Sequence, residues 1–281
     1  MEFTSEQAQQ RYADLVSVAA TAIVGLDFDG TLSPIVDDPA AAAIHPDAPQ
    51  VLVDLAEQVR AVAVITGRPA RQALALGGLD DVGATIGDAG RELFVLGQYG
   101  NERWSSTSRR VVSPRPPHGL ASFELALPAA LRKAHAEDAY VEEKGLAVAV
   151  HTRRMDDPAG AFERLLPLLT ELATANDLAI EPGRQVIEIR SPGMNKGHAV
   201  HDLARQQQAG GFLFAGDDLG DIEAFEAVLE LREAGMPTLL VCSSSDEQGA
   251  LLDLADLVVA GPDGVLELLR QLTRDARSTL V

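Results

Sequence analysis

Two kinds of apolar pattern alternate along the chain. Residues 22–27 (AIVGLD), 61–65 (AVAVI), 212–215 (FLFA), 238–241 (TLLV) and 257–259 (LVV) are short runs that are apolar at nearly every position. Runs of this length suit strands covered on both faces, as in a parallel sheet sandwiched by helices. Elsewhere apolar residues recur every three or four positions. Val51, Leu52, Leu55 and Val59 share one face of a helix predicted over residues 47–60. A further helix is predicted over residues 70–76 and a strand over 92–97. Near the N-terminus, Thr4 and Gln7 have the spacing of a capping box with Phe3 as its staple, which starts a helix running to about Ser17.

The alternation pauses at residues 113–118 (SPRPPH), a proline-rich linker. Beyond it a helix is predicted over 120–135, then two apolar stretches within 139–153 that flank residues 142–145, then a helix over 159–175. A second strand pair lies on either side of Pro182-Gly183. Antiparallel hairpins with helices are a different architecture from the flanks. Ser191-Pro192-Gly193 is a second break, after which the buried-strand pattern resumes. The predicted fold is α/β: a Rossmann-like, doubly wound parallel core built from residues 1–111 and 192–281, with an α+β cap inserted at 112–191. No internal repeat or low-complexity tract is visible.

Composition narrows the function. The 281 residues are 46% hydrophobic, enough for a substantial core, and carry a net charge of −19. A field that acidic excludes binding nucleic acid or an anionic membrane through general charge. A phosphorylated ligand would need a local cluster of cations. Cys242 is the single cysteine, so no intramolecular disulfide forms, as expected in a reducing cytoplasm. The polar N-terminus has no signal-peptide pattern, and no apolar run reaches the roughly 18 residues of a membrane span. The expectation is a cytoplasmic protein acting on a small molecule, its oligomeric state open.

Four motifs carry candidate chemistry. Asp27-Phe28-Asp29-Gly30-Thr31 directly follows a buried strand, where open parallel sheets bind ligands. Spacing of two puts both carboxylates on one side of an extended backbone, one to attack phosphorus and one to handle a proton. Gly30 permits a sharp turn. Thr66-Gly67-Arg68, after the strand at 61–65, offers a hydroxyl, backbone N–H groups and a guanidinium to phosphate oxygens. Asn195-Lys196-Gly197 opens a helix with an ammonium that the helix dipole disfavours. Asp217, Asp218 and Asp221 fall within five residues after FLFA and repel one another unless a cation neutralises them; oxygen ligands beside a phosphate suit Mg²⁺. Each motif alone has a bland reading: a turn, a helix cap, a solvated lysine, an acidic loop.

Their order is more informative than any one of them. Nucleophile pair, Thr-Gly-Arg, Lys and acidic cluster, in that sequence, resemble the haloacid-dehalogenase-like (HAD) phosphatase superfamily across both core segments. The insertion between the Thr and Lys motifs is similar to that superfamily's second type of cap. Residues 26–39 (LDFDGTLSPIVDDP), 99–102 (YGNE), 141–153 (VEEKGLAVAVHTR), 186–197 (VIEIRSPGMNKG) and 215–225 (AGDDLGDIEAF) resemble the trehalose-phosphatases more closely. Two departures stand out: Tyr99-Gly100 where the family often has His-Gly, and Gly220 where it often has Thr.

The resemblance implies a phosphatase that converts trehalose 6-phosphate to trehalose and phosphate. Asp27 would be the nucleophile that becomes an aspartyl phosphate, and Asp29 the proton donor and acceptor. Thr66 and Lys196 would hold phosphoryl oxygens. Mg²⁺ would be held by Asp27, the carbonyl of Asp29 and Asp217, with Asp218 and Asp221 as ligands through water or anchors. Gly67, Arg68, Glu102, Glu142, Lys144, Glu188 and Asn195 complete the candidate substrate contacts. The cap is expected to close over the sugar. His151 reads as a satisfied structural histidine, His198 and His201 as helix-face residues, and Trp104 as a packing residue. Three alternatives stay open: another sugar phosphate (sucrose phosphate, mannosylglycerate phosphate or a hexose phosphate), a non-catalytic sugar-phosphate sensor, and transfer to an acceptor other than water.

Overall fold

The computed structural model describes residues 2–36, 38, 41–244 and 249–279. Two compact units emerge, one formed by Met1–Ser113 with Asn195–Val281, the other by Pro114–Met194. In the first segment the strands are β1 (Glu2–Phe3), β2 (Ala22–Leu26), β3 (Ala61–Ile65), β4 (Glu92–Gly97) and β5 (Glu102–Ser105), and the helices α1 (Glu6–Ser17), α2 (Ala48–Ala56), α3 (Ala70–Gly77) and α4 (Leu79–Asp88). The inserted unit holds α5 (Leu120–Lys133), β6 (Tyr140–Glu143), β7 (Ala147–His151), α6 (Pro158–Thr174), β8 (Ala179–Gly183) and β9 (Val186–Arg190). The chain then continues through α7 (Lys196–Gln206), β10 (Gly211–Gly216), α8 (Ile222–Glu233), β11 (Thr238–Ser243), α9 (Gly249–Leu252), β12 (Leu257–Val259) and α10 (Gly261–Thr279).

The first unit is built on an eight-stranded sheet in the order β1-β12-β11-β10-β2-β3-β4-β5. Strands β12 to β4 run parallel; β1 and β5 pair antiparallel at the edges. Alternate residues of the central strands feed opposite faces. Val24, Leu26, Val62 and Val64 pack with α2, α4 and α10, while Ile23, Ala63, Ile65, Phe212 and Phe214 pack with α7 and α8. Burial on both faces is why these strands are uniformly apolar rather than alternating. The mixed edges refine the expected parallel sheet, and the Rossmann-like core with a separate antiparallel sheet is the fold class predicted.

The second unit is a four-stranded antiparallel sheet, β6-β7-β9-β8. Val148, Val150, Ile187 and Ile189 form one face and pack against Phe123 and Leu127 of α5 and Leu165 and Leu169 of α6. Among the described residues, no helix is long and apolar enough to cross a membrane.

Some local expectations are corrected. The α1 N-cap is Ser5, whose hydroxyl accepts from the Ala8 amide, rather than Thr4. The Thr4 hydroxyl instead donates to the carbonyls of Ala255 and Asp256. Phe3 lies in β1 and meets Tyr12 edge-on at 5.8 Å rather than stapling a cap. Pro182-Gly183 lies within β8 rather than at the turn, which falls at Arg184-Gln185 with Gln185 at φ 58°. A proline is tolerated there because β8 is an edge strand. Helix α4 was absent from the sequence prediction because Gly77-Gly78 ends α3, Gly78 adopting φ 57°, and two more glycines dilute the apolar pattern that follows.

A buried carboxylate fastens α1 and α8 to the sheet. Asp256, 2% exposed, accepts from Arg11 at 2.5 Å, from Arg232 and from the Leu240 amide at 2.9 Å. Removing it leaves two part-buried guanidinium groups without this shared counterion. Asp256→Ala is expected to destabilise the first unit by about 3–5 kcal/mol, read as a lowered denaturation midpoint. A change below about 1 kcal/mol in equilibrium denaturation would reduce this cluster to a surface ion pair.

Candidate active site

The candidate site lies where β2 and β10, side by side and parallel, reach their carboxyl ends. Asp27 leaves β2 with its amide donating to the Ala215 carbonyl at 2.9 Å. The chain then turns tightly: the Gly30 amide donates to Ser33 O at 2.7 Å, and Leu32 N to Phe28 O at 2.9 Å. Gly30 sits at φ +70°, and a Cβ there would fall 2.1 Å from Oδ2 of Asp217. Glycine is thus required twice, for the backbone angle and for the room that lets the Asp217 carboxylate lie over the turn. Ser243, at the end of β11, donates to the Gly30 carbonyl at 2.6 Å and fixes the turn from the other side. Sequence reasoning missed Ser243; its signal was a lone hydroxyl ending an apolar strand.

Asp27, Asp217 and Asp221, all buried, bring carboxylate oxygens within 4.8 Å of one another. Lys196 opens α7 and places its ammonium 2.5 Å from Asp27 Oδ1 and 2.7 Å from Asp221 Oδ1. The other Asp221 oxygen accepts from the amides of Asp217 at 3.0 Å and Asp218 at 3.4 Å. Asp221 therefore anchors both the ammonium and the loop after β10. Asp218 turns one oxygen to the Gly220 amide at 2.9 Å, capping the turn at Leu219–Asp221.

The second motif lies at the end of β3. Thr66 is buried, and its hydroxyl accepts from the Arg68 amide at 3.1 Å. Gly67 has no room for a Cβ, which would come 2.9 Å from the Tyr99 hydroxyl. Gln98 and Tyr99 both take left-handed backbone angles, φ 49° and 59°, a conformation costing of order 1–3 kcal/mol per residue away from glycine. Arg68 clasps Asp29 with both oxygens, Nε to Oδ2 at 2.6 Å and a terminal nitrogen to Oδ1 at 2.7 Å. Sequence reasoning named both residues but not this pair. Glu102 accepts from the Ala70 amide at 2.7 Å and so caps α3. Asn195 caps α7 through the His198 amide at 3.0 Å.

In the second unit, Glu142 pairs across the sheet with Ala149, Ala149 with Glu188, and Glu188 with Glu181. This row lies on the face opposite the apolar one. Lys144 Nζ meets Glu188 Oε2 at 2.5 Å, and Arg190 reaches Glu181 at 2.8 Å and Glu188 Oε1 at 3.7 Å. His151 meets Glu142 at 3.0 Å, which fits its structural reading. The structure thus gathers Glu142, Lys144 and Glu188 on one face and adds Arg190, which sequence reasoning did not single out.

The sequence model of the trehalose-phosphatase family matches residues 25–99 and 131–260. A probable trehalose-phosphate phosphatase of Sinorhizobium fredii is 33% identical over 211 residues, 73% of either chain. The chain belongs to the trehalose-phosphatase family. A Mycobacterium tuberculosis protein named as an uncharacterized glycosyl hydrolase is 32% identical over 268 residues, which are 92% of this chain but 18% of that protein. The trehalose-phosphatase of Schizosaccharomyces pombe is 28% identical over 275 residues, and 31% of its length is matched. This chain therefore spans only part of several relatives. In fold it is similar to the C-terminal domain of Candida albicans trehalose-6-phosphate phosphatase, with a TM-score of 0.74 at 19% identity, covering 97% of this chain and 98% of that one.

The electrostatics of this family member call for a cation. Burial pushes Asp27 well above the ordinary carboxylate range; Lys196 pulls it back, and the charges of Asp221, Asp218 and Asp29 raise it again. Asp217 is pushed up to about 9, first by burial and then by Asp27, Asp218 and Asp221, against the pull of Lys196. Burial alone would lower Lys196, but Asp221 and Asp27 outweigh it and hold the ammonium well above its usual value. Buried carboxylates that resist ionisation, converging on one point with oxygen donors only, can hold a divalent metal ion.

Because Asp217 moves from 3.8 unfolded to about 9 folded, the metal-free native state holds a proton that the unfolded chain releases across that window. Stability from this group is present below the unfolded value and is lost as pH rises towards the folded one. Metal binding needs the carboxylate ionised, so it expels that proton. The melting temperature of chelator-treated protein is expected to fall from about pH 6 to about pH 8. A divalent metal should restore more at the higher pH, and Asp217→Asn should flatten that difference. Equal metal stabilisation at both pH values would contradict the proton–metal competition.

Proposed function

We propose that this chain is a magnesium-dependent phosphatase that hydrolyses trehalose 6-phosphate to trehalose and phosphate through an aspartyl phosphate on Asp27. The observation that carries the reading is the Asp27 carboxylate, held by Lys196 beside Asp217 and Asp221 at the strand ends of a trehalose-phosphatase family fold. Asp27, Asp217 and the backbone carbonyl of Asp29 would hold Mg²⁺, with Asp218 and Asp221 anchoring. When bound, the ion offsets the charge that separates a dianionic phosphate from a carboxylate nucleophile.

An Asp27 oxygen bonds to phosphorus as the bond from phosphorus to the sugar oxygen breaks, and Asp29 gives the departing oxygen its proton. Water then yields a proton to Asp29 and attacks phosphorus, releasing phosphate and restoring Asp27. Lys196 screens the nucleophile, while the Thr66 hydroxyl and Gly67 amide hold the phosphoryl oxygens. A carboxylate clasped by a guanidinium uses both oxygens as acceptors. Asp29 therefore donates a proton only after its pair with Arg68 opens, and Arg68 is then available to a phosphoryl oxygen. The inserted unit, Pro114–Met194, would serve specificity, its Glu142, Lys144 and Glu188 meeting sugar hydroxyls. A small-molecule substrate, no nucleic acid and a cytoplasmic setting complete the reading.

Phosphate release from trehalose 6-phosphate, sucrose phosphate, mannosylglycerate phosphate and glucose 6-phosphate, with and without Mg²⁺, tests it directly. Trehalose 6-phosphate is expected to lead, and chelation to abolish turnover. Asp27→Asn is expected to lower kcat at least about 10⁴-fold with the fold intact by circular dichroism. Tight binding of a sugar phosphate with no turnover would make the protein a sensor instead.

Specificity has its own test. Losing the Lys144 contact should cost roughly 1.5–3 kcal/mol, about a tenfold to hundredfold fall in kcat/KM with trehalose 6-phosphate. Lys144→Ala should affect p-nitrophenyl phosphate far less, since that substrate has no sugar. Equal losses on both would assign Lys144 to the fold or the chemistry.

A further inference from the structure

Many arginines of this acidic chain are matched to carboxylates; Arg71 and Arg110 are among those that are not. Neither side chain has a hydrogen bond or ion pair among the described residues. Both line one cleft of about 630 Å³ in the first unit, together with Arg109, Asp80, Leu74, Ala75, Val111 and Trp104. Among the described residues the one carboxylate in that lining, Asp80, is taken by Arg109 at 2.9 Å. Three guanidinium groups against one carboxylate leave the cleft with two positive charges on a chain of net −19. A second cleft, of about 350 Å³, also holds two arginines, Arg11 and Arg232, yet both are turned onto buried Asp256.

The unmatched charges stand on fixed backbone. Arg71 lies in the first turn of α3, where the helix dipole opposes a cation. Arg109 and Arg110 end a hairpin that leaves β5, and its return is pinned by mutual backbone bonds between Arg103 and Val112 at 2.9 and 2.8 Å. Within it, Arg109 takes a left-handed angle of φ 48° while its amide donates to Ser105 O at 2.8 Å, and Ser108 N donates to Ser105 Oγ at 3.2 Å. The Arg109–Asp80 pair ties this hairpin to α4. Guanidinium forks on separate rigid elements match the oxygens of a phosphate better than point charges do. Leu74, Ala75 and Val111 offer an apolar wall beside them, and the volume is within the range of small-molecule sites.

We propose that this cleft binds the phosphate group of a small anion, using none of the residues gathered around Asp27. The bound group is either free phosphate or the phosphoryl group of a small phosphorylated metabolite. Trp104, the chain's single tryptophan, lines the cleft while 2% exposed, and so reports on occupancy.

The test is tryptophan emission of the whole protein titrated with inorganic phosphate, pyrophosphate and glucose 6-phosphate. A saturable change is expected with at least one of them. It should persist in Thr66→Ala, which impairs the candidate phosphate site at Asp27, and weaken at least tenfold in Arg71→Gln/Arg110→Gln. Saturation by inorganic phosphate as readily as by glucose 6-phosphate identifies free phosphate as sufficient; response to glucose 6-phosphate alone identifies an organic phosphate. An unchanged response in the double variant, or none in the wild type by emission and by calorimetry at millimolar ligand, overturns the site. Should the double variant fail to fold by circular dichroism, Arg110→Gln alone, on the exposed hairpin, carries the comparison.

Discussion

The ammonium of Lys196 between Asp27 and Asp221 is the interaction on which the candidate site depends. Three carboxylates, those of Asp27, Asp217 and Asp221, share one buried pocket with it. Fully ionised, they carry −3 against +1, leaving −2. A buried residual of that size is satisfied only by protons or by a divalent cation. The raised values of Asp27 and Asp217 are the proton solution, and the convergence of oxygen atoms is the metal solution. A centre balanced between the two suits phosphate chemistry, where a dianion must approach a carboxylate nucleophile.

The same contact shapes the chain's topology. Asp27 and Lys196 are 169 positions apart, with the entire second unit inserted between them. Strand β10 must pair with β2 before the cluster exists, so the site forms only when both ends of the chain have joined one sheet. Such long-range pairing is slow to form because loop closure precedes its reward. Independent packing of the insert, with its own apolar core between sheet and helices, lets it fold as a unit and shortens the effective loop.

Much of this was legible in the sequence. The runs at 61–65 and 92–97 became β3 and β4 with the predicted limits: β3 is buried throughout, β4 at four of its six positions, and both runs are too short for a helix. The four motifs were legible because each lies where a buried strand or a break ends. Features set by tertiary partners were not. Whether Arg68 faces a phosphate or Asp29, whether Glu102 faces a sugar or the α3 amide, and whether Thr4 or Ser5 caps α1 depend on groups far away in sequence. Edge strand β5 was equally hidden, since only Trp104 among its residues is buried and a single apolar position has no period.

The two units present two different kinds of surface. At the strand ends of the first unit, charge dominates, and glycine governs position: Gly30 lets Asp217 lie over the turn, and Gly67 lets Tyr99 lie over the Thr66–Arg68 motif. On the polar face of the second sheet, the row Glu142, Ala149, Glu188, Glu181 and its neighbours Lys144, Ala147, Arg190 interleave acceptors, donors and two alanines. Alanines at the centre leave a shallow floor, and paired charges around it present both donors and acceptors. Three carboxylates against Lys144 and Arg190 leave this face with polar groups of both kinds and no positive excess. The family match runs through both units, residues 25–99 and 131–260, so the charged strand ends and the polar face of the second sheet belong to one family pattern.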